Sequence, residues 1–409
     1  MSVKKKIFLN STLLYILYSI FPLFADVINI PVWLPSIAIC AIIAKLYQQT
    51  YSNDTFKWLV VYAVVLVFNM LIGRPLSIGI GSIADSKKFL VEMAYILPSV
   101  SIFSVMVNIR DNELLAKLMK WSVVILYASF IVAVPLMLSY NSIREAMVEA
   151  ENQESLKVLG LPSYGLMHAY TLFLPVLCFC VKAFEGKMKL FYSFGLVVLC
   201  FVIYDTFVTT SLVLMIFVLI FTVLFSEKQQ QQSLLAMFVA AVIFFVLYEV
   251  GFFVTLIDLI MPFFEDTAVE PKLIDIKNSM MQGHVTGESI TARQEHHAVS
   301  IESFLSNPIF GSAQSEGHST LLDRFGGMGL VVGVPYVMII ISFVKRMSLM
   351  YKTKMAKMFF KIGVLVSFVY LYNKGNWGSE SWLFLMVLLP FGLLAAEQNV
   401  MNKSHNISR

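Results

Sequence analysis

Long apolar runs and short polar breaks alternate along this chain, and the runs share one length. Each is roughly 17–22 residues, enough at 1.5 Å per helical residue to cross the ~30 Å hydrocarbon core of a bilayer. About twelve runs can be placed, near 7–24, 32–48, 57–73, 89–108, 118–139, 163–181, 190–206, 209–226, 234–254, 328–344, 357–373 and 381–397. A transmembrane β-barrel would instead show short segments alternating with period two. The pattern predicts an all-α integral membrane protein of about twelve transmembrane helices. Two polar stretches exceed ordinary turns. One, at about 140–162, is rich in glutamate (Glu145, Glu149, Glu151, Glu154) and reads as helical. The other divides the chain into helices 1–9 (residues 1–254), one large loop with amphipathic helices (255–327), and helices 10–12 with a tail (328–409). A loop of that length is usually functional or disordered, and its apolar and aromatic content argues against disorder.

Composition agrees and adds little. The chain is 58% hydrophobic and only 14% charged, with a mean hydropathy of +0.78. Cys40, Cys178, Cys180 and Cys200 all lie in apolar runs with no metal-ligand or disulfide spacing, so they read as small core residues. No metal, cofactor or nucleic-acid partner is expected. The placement of charge is more telling. With the amino terminus taken as cytoplasmic, alternation through twelve spans puts 20 of the 30 Lys and Arg residues on the cytoplasmic side. This is the asymmetry of the positive-inside rule, and it predicts that both termini are cytoplasmic and that the large loop faces outward. Met1–Lys6 precede the first run without a small-residue cleavage site, so that run reads as a retained helix.

Chemistry-bearing residues collect in the large loop and at its junction with the next span. Thr291 and Gln294 resemble a capping box that would start a helix near Arg293. Ala298, Ile301 and Leu305 then share a stripe, Arg293 and His297 stand one turn apart at its edge, and Asn307-Pro308 ends the helix. Such a helix belongs at the membrane surface or against the bundle. Arg293 can bind phosphate through its planar fork or be a solvated or snorkelling cation. His318, Leu321, Leu322 and Phe325 follow helical spacing, and Gly329 returns to the same face after about three turns unless Gly326-Gly327 kink the helix. Gly329 and Gly333 form a small-xxx-small pair that would admit another helix or a lipid tail. His318 can act in proton transfer or simply bind loop backbone. Arg74, Arg144 and Arg324 are outward-facing arginines, against the general trend. Convergence would suit a diphosphate, while any one alone suits an interfacial anchor. Intramembrane acids are scarce, Glu92 and Glu249 being the main candidates, which argues mildly against an ion-coupled transporter.

Arg293, then Pro308-Ile309-Phe310-Gly311, then His318-Ser319 with Asp323, then Gly329, resembles the carboxy-terminal signature of the Wzy-type O-antigen polymerase and O-antigen ligase superfamily. The motif match covers roughly 290–333. The layout of spans and one late outer loop matches over the whole chain. The resemblance implies a GT-C-type glycosyltransferase of the bacterial inner membrane, metal-independent and inverting, with its active site on the periplasmic face. Its donor would be a polyprenyl-diphosphate-linked oligosaccharide, and a flippase and a chain-length regulator would be partners beside the membrane lipids. His318 and Arg293 would be catalytic. Arg74, Arg324, Asp323, His297 and Ser319 would line the diphosphate or glycan site. Gly317-His318-Ser319 with Asp323 is more like polymerases; a histidine, ten residues and a glycine also occurs in ligases, which transfer glycan to lipid A core. A twelve-span transporter is the rival from another class. One departure stands out: many members carry Ser-Arg where this chain has Thr209-Thr210-Ser211-Leu212.

Overall fold

The computed structural model describes residues 1–21, 30–47, 53–73, 83–138, 164–206, 208–225, 252–265, 270, 273–274, 277–278, 288–312, 319–373 and 377–407. These are helical throughout, with no strand among them. The helices are α1 (Val3–Ile20), α2 (Trp33–Leu46), α3 (Asp54–Phe68), α4 (Ile83–Ile109), α5 (Asn112–Leu138), α6 (Tyr164–Ala183), α7 (Gly186–Asp205), α8 (Thr209–Leu224), α9 (Phe252–Ile260), α10 (Glu288–Ser306), α11 (Thr320–Ser348), α12 (Lys354–Asn373), α13 (Ser379–Leu383) and α14 (Leu389–Ile407). A π-helical turn, Asn69–Gly73, extends α3, and another, Phe384–Leu388, joins α13 to α14. Eight described segments are long and apolar enough to cross a membrane, with α2 and α8 shorter. Eleven of the twelve expected runs coincide with helices. Most of the run at 234–254, together with the glutamate-rich stretch at 140–162, Arg144 and Glu249, lies outside the described residues.

Burial does not follow hydrophobicity here. The α6 and α13–α14 segments sit inside, whereas α7 and α3, which are at least as apolar, present Val197, Val64 and their neighbours outward, as a lipid-facing surface allows. Phe173 packs edge-on against Phe384 at 5.9 Å and Phe130 against Tyr170 at 5.2 Å, which fixes α6 between α5 and the α13–α14 segment. Small residues allow closer approach: Gly363 lies under Leu389, and Gly392 lies against Val176. Several interior hydroxyls bond carbonyls of their own helices, as Ser104 does on the Val100 carbonyl (2.7 Å) and Ser367 on that of Gly363 (2.9 Å). Cys178 and Cys180 are buried and unbridged.

Contacts between distant parts of the chain sort the helix ends into two groups. At one end Lys5 bonds Asp111, Ser342 reaches Thr55 at 3.2 Å, and the Lys352 N–H donates to Glu397 at 2.9 Å. The start of α1 and the last turns of α14 share this terminal end. At the other end, α10, the start of α11 and the end of α12 meet.

Two expectations change here. The helix carrying Arg293 starts at Glu288, so Thr291 and Gln294 lie one turn inside it and not at its cap. The span after the large loop starts at Thr320, eight residues before the expected boundary at 328, because Ser319 supplies the cap: its Oγ accepts from Leu322 N at 3.2 Å.

Candidate functional site

The junction is built on a broken helix. Gly329 has φ 68° and ψ −173°, which interrupts α11 and frees backbone groups on both sides of the break. The turn after α10 fills the gap. The N–H groups of Leu330 and Val331 donate to the carbonyls of Pro308 (2.8 Å) and Ile309 (3.2 Å), and Ser312 N–H donates to the Gly326 carbonyl (2.9 Å). Three backbone groups beside the break are thus taken up by one short turn, as burial favours. The fit admits no side chain. A Cβ at Gly329 would overlap the Ile309 carbonyl, one at Gly311 (φ 75°) would overlap Met328 N, and one at Gly326 would overlap the Ser300 carbonyl. From the π-helical turn that extends α3, Asn69 Nδ2 donates to the carbonyls of Phe310 (3.2 Å) and Met328 (3.1 Å), tying turn and break together.

This geometry corrects the reading of the glycines. The break falls at Gly329, not at Gly326-Gly327. Gly329 and Gly333 do not form a helix-crossing pair: Gly329 takes the 309–311 turn, and Gly333 lies against Phe325 of its own helix. Ideal helical register therefore does not run unbroken through Gly329.

Asp323 fastens the start of α11. Its Oδ1 accepts from Ser300 Oγ of α10 at 2.8 Å, and its Oδ2 accepts from Ser319 N at 3.1 Å. Ser319 is buried, and its Oγ donates to the Leu371 carbonyl of α12 at 3.4 Å. The His297 ring packs on Tyr372 of α12, 5.0 Å between centroids. Helix α10 thus lies on the bundle through its small polar face, with Ser300 and Ser303 buried. Its apolar residues Ile301 and Leu305 point away, 46% and 70% exposed, as suits a helix at a lipid boundary. Three of the predicted site residues, His297, Ser319 and Asp323, meet here. Arg293 belongs to α10 one turn before His297, and only its backbone is described. His318 and Arg74 lie outside the described residues.

Arg324 goes elsewhere. Its Nη2 lies 2.8 Å from Glu92 Oε1 of α4, the Tyr62 hydroxyl donates to the same carboxylate oxygen, and the guanidinium lies over the Tyr336 ring at 5.6 Å. Each partner lowers the cost of holding the other charge inside the bundle. The Arg324 Nε and the Tyr336 hydroxyl have no hydrogen-bond partner among the described residues.

Two further polar positions escaped the sequence reading. The Glu380 carboxylate packs so closely on Gly165 and Gly378 that a Cβ at either would strike it, and Ser379 Oγ donates to it at 3.3 Å. The buried His168 ring lies 4.3 Å from that of Tyr370, whose hydroxyl donates to Ser211 Oγ at 2.9 Å. A histidine inside the apolar run 163–181 was the available signal for the second. Ser211, beside the position where an arginine was expected, is wholly buried on this tyrosine. Among the described residues, no three His, Cys, Asp or Glu side chains are grouped as metal ligands.

Comparison with known families and with characterised proteins returns no match. The short pattern from Arg293 to Gly329 and the layout of spans carry the functional argument.

Proposed function

We propose that this multi-pass membrane protein is a polysaccharide polymerase that extends a lipid-linked glycan at the outer face of a bacterial inner membrane. One observation carries the reading. The turn Asn307–Gly311, the break at Gly329 and the Ser300–Asp323–Ser319 bonds join α10 to the start of α11. The helix carrying Arg293 and the residue next to His318 are therefore held in one rigid unit, which is what positioning two reacting substrates requires.

In this reading the donor is a glycan on a polyprenyl diphosphate, and the acceptor is a sugar hydroxyl on a second lipid-linked unit. His318 takes the hydroxyl proton. The oxygen attacks the anomeric carbon from the face opposite the diphosphate, a new C–O bond forms, and the bond to the diphosphate breaks with inversion. Arg293 neutralises the leaving diphosphate. Arg74 is the second cation for that role, since Arg324 is committed to Glu92. Asp323, Ser319 and His297 are positioning residues. The asymmetry of Lys and Arg along the sequence supports cytoplasmic termini in this reading.

His318→Ala and Arg293→Ala are expected to abolish polymer while the protein stays in the membrane, read as the loss of long chains on a glycan gel from a complemented deletion strain. Normal chain lengths from either variant would remove that residue from the mechanism. The deletion strain separates the readings: a single repeat unit on the lipid supports polymerase, and lipid-linked polymer left untransferred supports ligase. Unchanged glycan would leave transport, the reading that the enclosed Glu380 carboxylate favours.

A further inference from the structure

The terminal end holds a cleft of about 430 Å³ between the end of α4, the start of α5, the end of α11 and α14. That is within the roughly 300–1,000 Å³ typical of ligand sites. Its floor is apolar, with Leu115, Phe391 and Leu394 buried. Its cations are Arg110, Arg346 and Lys352, and its anions are Asp111 and Glu397.

The anions are already engaged. Asp111 accepts from Lys5 Nζ and, at 3.0 Å, from Leu114 N. Glu397 accepts the backbone N–H groups of Lys352 and Thr353. The guanidinium groups of Arg110 and Arg346, by contrast, have no hydrogen-bond or ion-pair partner among the described residues, although the Arg110 backbone N–H donates to the Met106 carbonyl at 3.2 Å. Arg346 in the last turn of α11 is partly accounted for by the helix dipole. Arg110 is not so easily explained. It sits between α4 and α5 at φ 46°, a left-handed conformation in which glycine is the favoured residue. Backbone strain of this kind, about 1 kcal/mol or more, recurs at functional positions.

We infer that this cleft binds the headgroup of an acidic phospholipid, with Arg110 and Arg346 clamping the phosphate and the acyl chains leaving along the apolar floor. A guanidinium matches phosphate oxygens in pairs, and basic pockets between helix ends at the cytoplasmic surface suit acidic headgroups. Leu349 at the rim is 75% exposed and continues the apolar floor outward, which fits a lipid better than a free anion.

The test uses the full-length protein in neutral detergent and follows its thermal midpoint with added phosphatidylglycerol, phosphatidylcholine or inorganic phosphate. Phosphatidylglycerol is expected to raise the midpoint at concentrations about tenfold or more below phosphatidylcholine, and inorganic phosphate to leave it unchanged. The double variant Arg110→Gly with Arg346→Gln is expected to respond to the two lipids alike. Arg110→Gly alone controls for folding, because glycine relieves the strain and its lipid-free midpoint should equal or exceed that of the parent. An equal response of the parent to both lipids, or a selective response retained by the double variant, would overturn the inference. A shift reproduced by inorganic phosphate would overturn it in favour of a soluble anion.

Discussion

The two ends of the bundle solve opposite problems. At the end where α10 clasps the start of α11, here the clasp end, the backbone is irregular and the groups are used up in pairs: the 308–311 turn fills the break at Gly329, Asp323 uses both oxygens, and Glu92 takes Arg324. At the terminal end the helices stop cleanly, and the guanidinium groups of Arg110 and Arg346 are left without partners among the described residues. The first end depends on shape and has glycines where no other residue fits. The second depends on unspent charge, and its strained backbone position at Arg110 carries an arginine where a glycine would sit more easily. Damage at the first should therefore be felt as lost folding, and damage at the second as lost binding.

The sharpest way to break this contrast is Gly329→Ala. The added methyl meets the Ile309 carbonyl and the φ of 68° opposes it, so about 3 kcal/mol of destabilisation is expected from overpacking and backbone strain together. Gly186→Ala is the matched control, since Gly186 has a similar φ of 57° but open space around it, and should cost only about 1 kcal/mol. Equal midpoints for the two variants in a thermal melt would mean that the clasp is not tight.

Glu92→Gln comes next. It strips the partner from Arg324 in a site where the side chains are 11% and 21% exposed, and a loss of roughly 1–3 kcal/mol is expected after allowing for that exposure. The paired change with Arg324→Met should cost less than the sum of the single changes. Strict additivity in that cycle would show that the two charges do not depend on each other.

The smallest effect is at the terminal end. The Lys5 hydrogen bond, with help from Leu114 N, holds the Asp111 carboxyl below the usual range. A depressed carboxyl contributes stability that is present above its unfolded value near pH 4 and is lost as pH falls through the lower folded value. Asp111→Asn should flatten the stability–pH curve in that acid region by a small amount, because the pair is solvent-screened. An unchanged curve would mean that the bridge contributes nothing.

The sequence made the spans legible because a bilayer forces one run length on every crossing helix. It also exposed the junction, since Gly311, Gly326 and Gly329 crowd a short segment. What it hid was pairing across the chain. Nothing local in Glu92 or Arg324 announces that they meet, and an arginine before a span reads equally well as a ligand or as an ion-pair partner. Glu380 was missed because Gly378-Ser379-Glu380 looks like a polar connection, although its carboxylate packs on Gly165 of α6. The capping box failed for a related reason: the pattern recurs inside helices, and only backbone geometry shows that α10 had already begun at Glu288.

The break at Gly329 also bears on how the protein is assembled. A membrane helix ordinarily enters the bilayer with its backbone hydrogen bonds complete, which is what makes it an independent unit of insertion. Helix α11 is not such a unit, because the N–H groups of Leu330 and Val331 find their acceptors in Pro308 and Ile309. The segment Asn307–Gly311 must therefore reach the membrane together with the helix it precedes. If Thr320–Ser348 were transplanted alone into another bundle, it would carry two unanswered donors into the lipid.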